Sequence, residues 1–325
     1  MPYSNLVISG SIAFDTLFDF DGLFQNSFDP AMLHSINTSF NVTKLRKNMG
    51  GNATNIAFAS SFLCPSKVKI LGGIGLDGKV FLDFFKNNNL DTTGIIVDNE
   101  LHTAFGSCIT DTNNNQIWGF YYGACENCKN INILDFVNQK TDQTVNKQNV
   151  SESLFIISPN HEDSFISMQN QAIKHKIDYV YDVGMMISNL SAEVLRAGVL
   201  GAKYIIANEY EMVQLLKKTN LTSQEILEQN KIIITTIGKK GVIYEDKNQR
   251  IKIPSFPNLS LDPTGAGDSW RGAFFGSLIN GKTVQSSLIM GNALASICVE
   301  TSGTTTYAPS LEMLQNRCKI IKEMI

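Results

Sequence analysis

The sequence predicts an α/β fold, with helices covering a mostly parallel sheet and a small second sheet standing off the main body. Apolar runs of strand length alternate with amphipathic segments of helix length, the pattern of repeated strand–helix units. Two stretches break that rhythm and predict the separate sheet. The composition bounds the answer: 325 residues, 43 % hydrophobic and 18 % charged, can bury a sizeable core and lie far from the composition of disorder.

In chain order, residues 6–9 read as the first strand, 52–62 as a helix, 68–71 as a strand and 78–88 as a helix. Residues 154–157, 179–181, 204–206 and 232–235 continue the strands, each a short apolar run. Helical patterns at 162–175, 192–200 and 209–217 separate them, and the last third is helical over 266–279, 284–300 and 311–324. The first exception, 14–48, is rich in Phe and Asn and has no helix-period face. The second, 103–122, alternates apolar and polar residues across Asp111-Thr112-Asn113-Asn114-Asn115, as a hairpin does. Together they predict a lid built from two insertions (about 14–48 and 103–122) in a single domain spanning 1–325.

Charge, ends and cysteines narrow the function classes. With 27 Lys+Arg against 30 Asp+Glu, the net charge of −3 leaves no excess of cations to neutralise phosphates, which argues against a nucleic-acid partner. No segment approaches the roughly 18 apolar residues of a membrane span. Met1-Pro2-Tyr3-Ser4-Asn5 lacks the basic start and apolar stretch of a secretion signal. Six cysteines are too few for a disulfide scaffold, so the expected compartment is the cytoplasm. Cys125-Glu126-Asn127-Cys128 has no further metal ligands at short spacing and reads as structural.

Gly73-Ile74-Gly75-Leu76-Asp77-Gly78 has the spacing of a dinucleotide fingerprint and keeps an NAD(P)-dependent oxidoreductase as an alternative. Such a fingerprint belongs on the first strand of its unit, whereas here a strand and a helix precede it. Read instead as a P-loop ending in Gly78-Lys79, the run fails, because Val80 offers no oxygen to magnesium.

Asp262-Pro263-Thr264-Gly265-Ala266-Gly267-Asp268 runs directly into an apolar helix pattern. Small residues at a helix start leave backbone N–H groups unshielded beside the positive end of the helix dipole, an anion site suited to a phosphate. Asp268, in the first turn, either caps the helix or presents a carboxylate to an acceptor hydroxyl. A base beside an anion site is what phosphoryl transfer requires.

At this point the sequence resembles the ribokinase-like (PfkB) sugar and nucleoside kinases. Gly265-Ala266-Gly267-Asp268 is similar to their C-terminal signature, and four more features follow the family's order from about Leu6 to about Thr305. Gly10-Ser11-Ile12-Ala13-Phe14-Asp15 resembles the first-strand exit, whose Asp holds substrate hydroxyls. Gly50-Gly51-Asn52-Ala53-Thr54-Asn55 resembles the Gly-Gly turn into a helix under the substrate. Asn208-Glu209-Tyr210-Glu211 resembles the Asn-x-x-Glu that positions magnesium and phosphates, largely through water. Thr236-Ile237-Gly238-Lys239-Lys240-Gly241 resembles the segment bordering ATP. The resemblance implies a three-layer sandwich with a mostly parallel central sheet and a β-sheet lid. It also implies ATP and Mg2+ as cofactors, with K+ common in the family near the anion site, and a homodimer formed through the lid.

Within the family, the first motif, the long aromatic insertion and Asp-Pro-Thr-Gly are most similar to bacterial adenosine kinases. That implies Asp268 as general base on a nucleoside 5′-hydroxyl and the amides of Gly265, Ala266 and Gly267 as the anion site. Ser11, Asp15, Ser39, Gly51, Asn55, Phe105 and Phe120 would surround the nucleoside; Asn208, Thr236, Gly238 and Gly241 would border ATP; and Glu211 would reach the metal through water. Each has an ordinary alternative. Asp15, Asn55, Asn208 and Glu211 would serve as caps, Gly238 and Gly241 would shape a hairpin, and the two Phe would pack the lid's own face. A sugar kinase of the same fold is the alternative within the family. One departure stands out: adenosine-kinase-like relatives tend to carry an Arg after the middle strand's Asp, and residues 182–190 contain Asn189 and no Arg.

Overall fold

The computed structural model describes residues 3–113, 115–137, 139–141 and 149–325. Its main sheet has nine strands. From one edge to the other they are Asp91–Val97, Val68–Ile74, Asn5–Ser9, Ser153–Ile157, Tyr179–Asp182, Tyr204–Asn208, Ile232–Thr236, Val242–Glu245 and Arg250–Ile253. The first seven are parallel, and the last two form an antiparallel extension. Near-continuous apolar runs suit strands buried on both faces. Leu6 and Ile8 enter one core while Val7 enters the other, as alternation along a strand requires.

The first core packs Asn52–Ser61, Lys79–Asn87, Ala266–Ile279, Val284–Cys298 and Leu311–Glu323 through Ile56, Phe81, Phe274, Leu294 and Ile321. The second packs Glu162–His175, Ala192–Gly201, Glu209–Thr219 and Ser223–Glu228 through Phe165, Leu195, Leu215 and Ile226. This is the three-layer arrangement, with a mostly parallel central sheet, that the sequence resemblance implies. The sequence reading misses Asp91–Val97, Ser223–Glu228 and the two antiparallel strands at 242–253. Ser223–Glu228 is a short helix, and the three strands lie at or next to the sheet edges, where half-exposed patterns weaken the apolar signal.

The lid is a four-stranded sheet in the order Val42–Gly50, Ala13–Phe20, Ala104–Thr110, Gln116–Tyr121. Each predicted insertion supplies one hairpin-like pair, and a parallel ladder between Ala13–Phe20 and Ala104–Thr110 joins them. The turn at 111–115 is closed by Asp111, whose carboxylate accepts from the amides of Asn113 and Asn115; Asn114 lies outside the described residues. Asp111 also accepts from the Phe24 amide at 3.1 Å, tying the two insertions together.

The glycine run at 73–78 is filled by the protein itself. A Cβ on Gly73 would meet the Ala124 carbonyl, and one on Gly75 would meet the Leu101 carbonyl, so no pyrophosphate can approach there. Cys125 and Cys128 are buried, and no group of metal-ligating side chains occurs among the described residues. Among those residues no helix is long and apolar enough to cross a membrane.

Candidate active site

The Ala266–Ile279 helix is buried along almost its whole length and packs on Asn52–Ser61. Gly272 permits that approach, since a Cβ there would lie 2.5 Å from the Ala59 side chain and the Ile56 carbonyl. The crossing brings Asn52 and Asn55, one helical turn apart, onto Asp268. Asn52 Nδ2 donates to Asp268 Oδ1 at 3.1 Å, and Asn55 Nδ2 donates to Oδ2 at 2.9 Å. Burial pushes the Asp268 carboxyl up; Arg271 and the Asn55 amide oppose that, the Asp182 charge reinforces it, and the Asn52 amide opposes it again. Both Asp268 oxygens are thus engaged by side chains of the neighbouring helix, an arrangement other than a cap of its own helix start.

The helix opens at Gly265, φ +75°. Of the three amides expected to form the anion site, that of Ala266 is already used, donating to the Pro263 carbonyl at 3.2 Å as the Pro263–Thr264 turn folds back. Gly267, second in the helix, keeps the N–H that helix geometry leaves without an intrahelical partner. It lines a cavity of about 310 Å3 with Gly265, Asp268, Asn208, Glu211 and Arg271.

Two larger cavities flank this one. On the lid side, about 790 Å3 is lined by Asp15, Asp19, Arg46, Asn48, Trp118 and Thr264 among others. Strand register sets which lid residues share its face: Asp15 pairs with Asn48 and Gly106, and Gly106 pairs with Phe120, which lies on that face just beyond the cavity's lining. Asp15 Oδ1, Trp118 Cζ3 and Phe120 Cδ2 converge over Gly106, at 3.0, 3.3 and 3.3 Å from the position of a Cβ there. Asp15 reaches inward because Gly50 leaves room for its carboxylate, and Gly51 makes the turn at φ +87° hard against Ser11. Burial pushes the Asp15 carboxyl up to about 6, and the Asp268 charge adds to this.

Three predicted residues stand elsewhere than expected. Phe105 pairs with Phe14 and Tyr121, on the opposite face of the lid from Asp15 and Phe120. The sequence places both Phe on lid strands, but their parity relative to Asp15 depends on register between distant segments. Ser39 is exposed in the loop before Val42–Gly50 and lies outside the cavity's lining. Ser11 is buried, and its hydroxyl accepts from the Asn52 amide, so it holds the helix start.

On the other side, a cavity of about 430 Å3 is lined by Asn208, Thr236, Gly238, Gly241, Ala266, Gly267 and Trp270 among others. Gly238 and Gly241 do shape the turn between antiparallel strands, and that turn borders the cavity. Asn292 anchors the wall: it accepts from Trp270 Nε1 at 2.8 Å and donates to the carbonyls of Ile253 and Pro254. Asn208 and Glu211 form a reciprocal capping box, the ordinary alternative, and both line the central cavity as well.

Residues 25–311 match the pfkB family carbohydrate kinases. This chain belongs to that family. The chain is therefore a phosphotransferase acting on a hydroxyl group. It is 26 % identical to a nucleoside kinase of Methanocaldococcus jannaschii over 86 % of this chain and 89 % of that protein. It is 26 % identical to a ribokinase of Lactococcus lactis over 83 % and 85 %. The solved structure of Burkholderia thailandensis nucleoside kinase in complex with inosine superposes with a TM-score of 0.80, at 25 % identity, covering 97 % of each chain.

Sequence reasoning missed Arg271, Trp118, Asp19 and Arg46. A charged residue inside an apolar helix pattern, Arg271 in Trp270-Arg271-Gly272-Ala273, was the available signal for the first. The other three needed the lid's register.

Proposed function

We propose that the chain is an ATP-dependent nucleoside kinase that phosphorylates a 5′-hydroxyl, with adenosine the first acceptor to test. The observation that carries this reading is the placement of Asp268, held by two Asn amides where the central cavity opens toward a ring-lined pocket on one side and a Gly-rich pocket on the other. Asp268 takes the proton of the acceptor hydroxyl as the oxygen attacks the γ-phosphoryl group. The Gly267 amide and the helix start stabilise the charge on that group. Asp15 accepts from the ribose hydroxyls, and Trp118 and Phe120 offer faces to the base; a bare sugar would gain less from them.

The donor set suits magnesium carried on the nucleotide's phosphates. The described residues offer no cluster able to hold a metal alone, while Glu211 lines the phosphate-sized cavity with one oxygen engaged by the capping box. Bound there, Mg2+ neutralises phosphate charge. The lid's outer face exposes Leu45, Phe105, Ile117 and Tyr121, which supports a homodimer through that face.

The test is ATP consumption with magnesium across adenosine, inosine, guanosine, cytidine, ribose and fructose 6-phosphate, with Asp268→Asn as control. We expect nucleoside turnover and a fall of roughly 10²–10⁴-fold in the variant with its melting transition retained. Preference for ribose over every nucleoside would replace this reading with the sugar kinase. Wild-type turnover by the variant would remove Asp268 from the mechanism.

A further inference from the structure

Arg271 sits one turn beyond Asp268 on the same helix, its side chain 9 % exposed. Its NH2 donates to Asp182 Oδ1 at 2.6 Å, and NH1 lies 3.9 Å from Asp268 Oδ1. Asp182 ends the middle strand of the sheet and is itself fixed, because its other oxygen accepts from the Ser158 hydroxyl at 2.7 Å. The guanidinium sought after the middle strand's Asp thus arrives from the catalytic helix and docks on that same Asp.

We propose that Arg271, anchored by Asp182, is the positioning residue that keeps Asp268 ionised between the two cavities, an inference that rests on the kinase reading above. The cluster holds two buried carboxylates and one cation. Asp268's direct hydrogen bonds come from neutral amides, which supply no net positive charge. The other titratable groups that reach the pair are Asp15 from the lid, Glu211 from the helix after Tyr204–Asn208, Cys298 from Val284–Cys298 and Tyr307 from the segment after it. None of these is cationic. Without Arg271, two carboxylates would share a dry site and one would take a proton. A protonated Asp268 cannot accept the proton of an acceptor hydroxyl. The arrangement also explains the free Nε of Arg271: the group is held by one end and offers its charge, not a full set of hydrogen bonds.

The test compares wild type, Arg271→Met and Arg271→Lys in two ways. One is the acid limb of kcat/KM for the acceptor; the other is the titration of the Asp268 carboxyl carbon by NMR, assigned with Asp268→Asn. In Arg271→Met both should move up by about one pH unit or more, a roughly tenfold loss on the acid side relative to the plateau. Arg271→Lys should restore most of the shift. A loss equal at every pH, or a loss of ATP affinity, with limb and titration unmoved overturns the proposal. If Arg271→Met does not fold, the Arg271→Met/Asp182→Asn pair removes the stranded charge and should still move both readouts up, by less. If wild type turns over no acceptor, the kinase reading fails, and the carboxyl titration alone decides the role of Arg271.

Discussion

The two cavities that flank the central one are made of different material. The glycine-lined one stands at the carboxyl edge of the main sheet, walled by the Gly238–Gly241 turn, the helix start at Ala266 and Gly267, and the rings of Phe256 and Trp270, and is braced from behind. Asn292 ties Trp270 to two carbonyls, and Arg317 lies 4.6 Å over the Phe256 ring while pairing with Glu300. The other is walled by side chains on a thin lid: Asp15, Asp19, Arg46 and Trp118 project from three strands of a four-stranded sheet. On the proposed reading, the first cavity takes the nucleotide on loop and helix-start backbone, and the second selects the acceptor through which side chain occupies which register position.

Replacing Asp15 should break that contrast most visibly, because its carboxyl is held in a form the empty protein does not favour. Charged hydrogen bonds to two hydroxyls contribute about 1.5–3 kcal/mol each, so Asp15→Asn should lower kcat/KM for the acceptor by roughly 10²–10³-fold or more while leaving KM for ATP unchanged. Stability should move the other way. The folded carboxyl binds its proton more tightly than the unfolded one, with its pKa raised from 3.8 to about 6. Ionising it therefore removes stability as pH rises through that window, and none is removed below it. At pH 8 the variant should be more stable than wild type by up to about 3 kcal/mol, the difference vanishing below about pH 4. Denaturant melts at both pH values check this. A variant less stable at pH 8 would mean that the carboxylate is already satisfied without substrate.

A smaller effect sharpens the comparison within the lid itself. Trp118 faces the cavity and Phe105 faces away, although both lie on lid strands. Stacking on a base contributes about 1–3 kcal/mol. Trp118→Ala should then raise KM roughly 5–100-fold for nucleosides and little for ribose. Phe105→Ala should leave it within about twofold. Equal losses from the two variants would show that the lid closes with its other face inward.

These variants also mark how far the sequence can be read. At Asp268, Gly51, Thr236, Gly238 and Gly241 the sequence shows the turn or helix start that each belongs to, because spacing within a few residues sets that geometry. The long helices and buried parallel strands were legible for a similar reason, their periodicity being local. Phe105 was misplaced because its face depends on how residues near 14, 105 and 121 pair, and a one-residue slip inverts every side chain. Ser11 and Asn55 fell between these cases. Both lie beside the site, but burial directs Ser11 to the helix start and the Asn55 side-chain amide to Asp268. Arg271 was missed because its partner, Asp182, lies 89 residues away.

The smallest expected effect lies at Glu211, in the wall of the central cavity beside Asn208, which the glycine-lined cavity shares. Its carboxylate accepts from the Asn208 amide at 2.9 Å, and the Asn208 side chain accepts from the Glu211 amide at 2.8 Å. Glu211→Gln keeps an acceptor in the box and removes only charge, so the helix start should lose about 0.5 kcal/mol. If a water-bridged cation depends on that charge, the variant should need severalfold more Mg2+ for half-maximal rate, with acceptor KM unmoved. A Mg2+ titration of the rate separates the two roles. An unchanged midpoint would confine Glu211 to capping and leave the phosphates to hold their metal alone. A shifted one would show that one carboxylate serves both the fold and the nucleotide, because the helix end that needs a cap is the same one that faces the transfer site.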